Sequence, residues 1–81
     1  MQLNSKALGL AIGVVSAGVW FVIMTVSLLT GFLDQTIQAI GSFHPGFSYT
    51  WMGLLYVVVM HLVAGFGMGF VIALVYNQFN R

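Results

Sequence analysis

The sequence predicts an all-α membrane protein, an antiparallel hairpin of two transmembrane helices. Composition, charge placement and length carry that expectation. Of the 81 residues, 60% are hydrophobic and 4% are charged, whereas a soluble domain carries about 25% charged residues to keep its surface wet. The charges are Lys6, Asp34 and Arg81, so Ala7 to Leu33 carries none, and Gln35 to Asn80 is interrupted only by His44 and His61. One crossing of a hydrocarbon core takes about 20 apolar residues. The chain therefore has room for two crossings and a turn, in a single domain.

The polar start "MQLNSK" supplies Asn4 or Ser5 as a cap for helix 1, expected over about 6–33. Thr30, Gly31 and the arrival of Asp34 signal its end. A cleaved signal peptide is disfavoured: its apolar region runs about 7–15 residues, and "TGFLDQTIQ" holds no small-residue cleavage pattern. In the next segment Leu33, Ile37 and Ile40 share one face, away from Gln35 and Gln38. This piece either extends helix 1 or lies in the membrane interface, with Gly41 as its C-cap. The connection, about 34–48, contains Pro45-Gly46, which suits a type II turn: proline fixes φ and glycine accepts a positive one. Ser48 or Thr50 then caps helix 2, expected over about 49–77.

Lys6 and Arg81 flank the outer ends and the connection contains neither Lys nor Arg. The positive-inside rule places both termini in the cytoplasm and the connection across the membrane. Phe43, Phe47, Tyr49 and Trp51 are expected in an aromatic belt on that far side, with Tyr76 and Phe79 on the near side.

Small residues recur every fourth position in both helices: Ser5, Gly9, Gly13 and Ala17 in the first, and Gly65, Gly69 and Ala73 in the second. Such stripes let helix backbones approach closely in lipid, where packing rather than escape from water drives association. Pairing Lys6 with Asn77 brings Gly9, Gly13 and Ala17 level with Leu74, Phe70 and Phe66. Both stripes then lie in the cytoplasmic half, and the helices are expected to splay toward the connection. Spacing leaves open whether the stripes meet within one hairpin or between copies. Gly18 and Gly67 lie off the stripes and offer a second face for close approach.

His61 lies near the middle of helix 2, and Val57, His61, Gly65, Gly69 and Ala73 follow one i, i+4 line, so it should face protein. An ionisable residue at this depth raises proton relay or pore lining. The plainer alternative is a neutral imidazole bonded to Thr25, Ser27 or Trp20, and the lack of a carboxylate at this depth favours it. Trp20, which the same pairing places near His61, needs an acceptor for its N–H, either His61 or a main-chain carbonyl. A metal site is not expected, because His44 lies far along the chain and cysteine is absent. Nor is an enzyme, since no nucleophile–base or carboxylate pair is available. Neither a cofactor nor a small-molecule substrate is evident, and two cations at opposite ends make no nucleic-acid footprint.

The stretch "IGSFHPGFSYTWMGLL", followed by "GFGMGFVIALVYNQF", resembles a family of uncharacterised small two-helix bacterial membrane proteins. Some of its members carry the name bacteriophage holin. The resemblance rests on Gly41, Ser42, Phe43, Gly46 and Phe47 in the connection, then on Gly65, Gly69, Ala73, Tyr76 and Asn77. It departs at Ala64, where many members of that family carry an acidic residue. The resemblance implies a two-helix protein of a bacterial cytoplasmic membrane and no established activity, cofactor or catalytic residue. With the stripes, it leaves two expectations. One is a self-associating or accessory subunit of a membrane assembly, a homo-oligomer or part of a larger complex in the lipid bilayer. The other is a holin-like homo-oligomeric pore.

Overall fold

The computed structural model describes residues 2–80. Met1 and Arg81 lie outside the described residues, and with Arg81 goes one of the two cations on which the expected orientation rests. Among the described residues the chain is all-helical and contains no strand: α1 (Ser5–Thr30), α2 (Asp34–Gly41) and α3 (Trp51–Phe79). The molecule is 48 Å long. At about 1.5 Å per residue, α1 and α3 both exceed the roughly 30 Å of a hydrocarbon core, and each has a mean hydropathy of 2.3 over its most apolar window. Both are long and apolar enough to cross a membrane.

Asn4 starts α1 from an extended conformation, its side chain accepting a hydrogen bond from the Ala7 N–H at 3.0 Å. The helix ends at Thr30, not at residue 33 as the hydropathy suggests. Gly31 turns left-handed at φ 80° and donates its N–H to the Ser27 carbonyl at 2.7 Å, closing the last turn. Leu33 then also takes a positive φ, 57°, a conformation costing a side-chain-bearing residue about 1–3 kcal/mol. These two reversals make α2 a helix of its own, which excludes a simple extension of α1.

The connection expected over 34–48 is thus half helical. Asp34 places its carboxylate in the first turn of α2, where the helix dipole favours a negative charge. Ile37 is buried. Gly41 is the last helical residue rather than the cap, and Ser42 closes the turn through its N–H on the Gln38 carbonyl at 3.0 Å. Gly41 must be small for another reason: the Phe47 ring lies where its β-carbon would stand. The turn at Pro45 and Gly46 has the features of type II, with Phe47 N–H donating to the His44 carbonyl at 3.1 Å and Gly46 at φ 88°. Thr50 caps α3, its Oγ1 accepting from Gly53 N–H at 3.2 Å. The helix therefore begins two residues later than expected, and it continues to Phe79.

Two packing zones result. In the half near the termini, the small residues Gly9, Gly13, Ala17, Gly65, Gly69 and Ala73 are buried between α1 and α3. In the half near the connection the space is filled by Met24, Ile37 and Leu54, with Leu28, Phe47 and Tyr49 packed against them. Phe47 and Tyr49 are partly buried and pack against this core, whereas Phe43 and Trp51 are exposed.

Candidate functional site

The seam between α1 and α3 is set by glycines meeting backbone. A β-carbon built on Gly13 would lie 2.8 Å from the Leu62 carbonyl oxygen, and one on Gly65 would lie 2.7 Å from the Gly13 Cα. One turn away, a β-carbon on Gly9 would approach the Phe66 carbonyl oxygen to 2.7 Å, and one on Gly69 would approach the Gly9 Cα to 2.8 Å. Backbone cannot swing aside as a side-chain tip can, so these four positions admit hydrogen alone. The stripes meet within one chain, continued by Ala17 and Ala73, which are 5% and 0% exposed.

The register differs from the expected one. Gly9 sits against Phe66 and Gly69 rather than Leu74, and Gly13 against Leu62 and Gly65 rather than Phe70. The shift is well over one helical turn. Counting back from the helix ends misplaced it, because the glycine-to-glycine interlock sets the alignment and α3 runs past residue 77. Gly18 and Gly67 have open space around them, with nothing within 4 Å of a built β-carbon.

A polar clamp closes the terminal end. The Asn77 amide donates through Nδ2 to the Leu3 carbonyl at 2.8 Å, and its Oδ1 accepts from the Leu3 N–H at 2.8 Å. One side chain thus satisfies both main-chain groups of a residue just outside α1, where no helical partner exists for them. Asn77→Leu keeps similar bulk and removes both bonds. It should destabilise the hairpin by about 1–3 kcal/mol, and faster hydrogen exchange at the Leu3 amide would report the opening. Unchanged Leu3 exchange in Asn77→Leu would rule out the clamp.

At the other end, Tyr49 crosses from the connection to α1, where its hydroxyl donates to the Ser27 carbonyl at 3.0 Å and pairs with the Ser27 hydroxyl. Ser27 is 1% exposed, so both of its polar groups are engaged inside the chain. Thr25 Oγ1 is buried with no hydrogen-bond partner among the described residues, and its environment offers no account of that.

His61 does not bond Thr25, Ser27 or Trp20. Its Nδ1 lies 2.9 Å from the Val57 carbonyl one turn earlier in α3. A carbonyl only accepts, so Nδ1 carries a hydrogen, and Nε2 has no hydrogen-bond partner among the described residues. Trp20 meets His61 ring to ring, with centroids 5.5 Å apart and planes tilted by 34°, so it serves as a packing wall rather than a donor to the imidazole.

Folding also unites two histidines that lie far apart in sequence. A half-open cleft of about 190 Å³ runs between α1, α2 and α3 near the connection, walled by Trp20, Met24, Ile40, Tyr56, His44 and His61. His44 reaches it because the turn at Pro45 and Gly46 folds back over α3, where the Tyr56 hydroxyl donates to the Pro45 carbonyl at 2.6 Å. His44 Nδ1 likewise lies 3.1 Å from the Ile40 carbonyl, and its Nε2 too has no hydrogen-bond partner among the described residues. Among the described residues no group of three or more metal-ligating side chains forms.

Sequence reasoning missed the cleft, the Tyr49–Ser27 pair, the Asn77 clamp and the constraint on Gly53, where a β-carbon would run into the Ser48 carbonyl. Asn77 enters the sequence reading only beside Ala73 and Tyr76 in the family resemblance, with no role attached. For Gly53 and His44 no local pattern existed, because the contacts that matter come from the folded connection. No family model matches the chain, and no curated protein or solved structure matches it either.

Proposed function

We infer that this chain is a small integral protein of a bacterial cytoplasmic membrane, with both termini in the cytoplasm. It acts without catalysis, as a preformed two-helix subunit that packs into a membrane assembly of its own copies or of a larger complex. The observation that carries this reading is the closed glycine seam. The hairpin consumes its own stripes internally, and what it turns outward is almost wholly large and apolar, such as Val15, Leu29 and Val63. A surface of that kind suits lipid or an apolar protein neighbour. The open Gly18 and Gly67 supply positions at which a neighbouring helix can come close.

The second reading, a holin-like homo-oligomeric pore, needs a polar lining for water. The hairpin's intramembrane polar groups serve it poorly. Ser27 is buried against Tyr49, Thr25 Oγ1 is buried, and the His61 Nδ1 is tied to its own helix. The accessory reading is therefore preferred.

The test is dye release from liposomes loaded with the wild type or with His61→Ala, together with the size of the detergent-solubilised particle. The expected result is no leakage above empty liposomes from either protein, and co-purification with a larger membrane complex. Large homo-oligomers that leak dye, with the leak altered by His61→Ala, would establish the pore instead.

A further inference from the structure

We propose that the cleft between α1, α2 and α3 is a binding site for a membrane-dissolved ring compound bearing a hydroxyl, of the phenol or hydroquinone class. Size comes first: at about 190 Å³ the cleft is somewhat larger than the roughly 150 Å³ cavity that accommodates benzene in an apolar protein interior. A single substituted ring fits, and the open side leaves room for an attached apolar chain.

The walls specify the chemistry. Trp20 and Tyr56 provide aromatic faces, and Met60 provides polarisable sulfur, which packs well against a ring. The polar wall is two imidazoles, His44 and His61, each with Nδ1 held by the carbonyl four residues earlier. In that tautomer Nε2 is an acceptor. The Tyr56 hydroxyl has spent its hydrogen on the Pro45 carbonyl and can only accept from a ligand. The wall therefore asks for an O–H donor carried on an apolar ring. A phospholipid acyl chain would fill the volume but leave these acceptors unmet, and an anion finds no cation among the lining residues.

The site rests on the membrane reading only for the source of its ligand, so binding is tested in detergent micelles, where it is separable from membrane function. Trp51→Phe leaves Trp20, on the cleft wall, as the lone tryptophan reporter. A short-chain alkyl hydroquinone is titrated against its dimethyl ether, which has the same ring and chain but no donor. The expected result is saturable change in Trp20 emission with the hydroquinone bound about fivefold or more tighter than the ether, as one net hydrogen bond would give. His44→Phe and His61→Phe together, which keep aromatic rings in the wall, should reduce that preference.

Nitrogen NMR of the wild type makes the test independent of any variant: the His61 or His44 Nε2 resonance should move on saturation with hydroquinone and not with the ether. Equal affinity for the two compounds, with unmoved Nε2 resonances, would overturn the proposal and mark the cleft as an acyl-chain groove. Non-saturable quenching would overturn it as simple partitioning into micelles.

Discussion

Replacing Gly13 and Gly69 together with isoleucine is expected to pull α1 and α3 apart and to lower hairpin stability by at least about 3 kcal/mol. The reason lies in what each β-carbon would strike. At Gly13 it meets the Leu62 carbonyl oxygen at 2.8 Å, and at Gly69 it meets the Gly9 Cα and the Leu8 carbonyl oxygen, both at 2.8 Å. Those are backbone atoms of a neighbouring helix, so relief requires the helices to separate along the seam. In the membrane setting proposed above no hydrophobic force draws them back, and the loss of close packing is the loss of the main attraction. Unfolding in mixed micelles, followed by Trp20 emission, should show the drop. Gly18→Ala and Gly67→Ala are the matched controls. Their β-carbons enter open space, and better helix propensity should leave stability unchanged or raised by up to about 1 kcal/mol each. A double isoleucine variant with the wild-type midpoint would refute the seam.

Gly53→Ala should produce the second large effect, from the smallest substitution available. A β-carbon there would fall within the Ser48 carbonyl, because the chain folds back across the first turn of α3. That fold-back is held by Thr50 Oγ1, which accepts from the Gly53 N–H at 3.2 Å and pairs with the Ser48 hydroxyl at 2.8 Å. A methyl group at residue 53 must push Ser48 outward, and Tyr49 moves with it. The Tyr49 link to Ser27 then breaks, and a buried serine loses its partner. Overpacking of this kind costs about 1–3 kcal/mol, and the stranded hydroxyl adds about 1–3 kcal/mol more. Limited proteolysis of the connection, with thermal unfolding, measures the effect. Alanine elsewhere in α3, as at Gly67, provides the baseline, and a Gly53→Ala protein as protease-resistant as Gly67→Ala would refute this account.

Much of the architecture was legible because it depends on local rules. Asn4 and Thr50 cap helices through side-chain oxygens that reach their own first turns, and Gly31 and Gly46 mark positive φ. All four can be read without knowing what lies across the fold. The small-residue periodicity likewise points to a helix-facing surface, since four residues nearly complete a turn. The register of that surface was misread: spacing along one helix says nothing of its axial offset against another. The hydropathy of Leu33 fits the last residue of a helix. No local signal announces a leucine driven to φ 57° by the folded connection.

The amino-acid sequence by itself determined that this chain is helical, that it has two apolar helices long enough to cross a membrane, and that each carries a small-residue face. Those properties follow from composition, capping and period, which act over a few residues. Only the tertiary structure decided that the two faces close on each other, that Asn77 holds Leu3, and that His44 and His61 share one cleft. These are contacts between segments far apart along the chain. They depend on where α2 turns back and on which backbone atoms exclude a β-carbon. The stretch "VVVMHLVAGFGMGF", residues 57–70 in the middle of α3, thus divides by contact rather than by composition: Gly65 and Gly69 belong to the seam, Gly67 to the open surface, and His61 to the cleft.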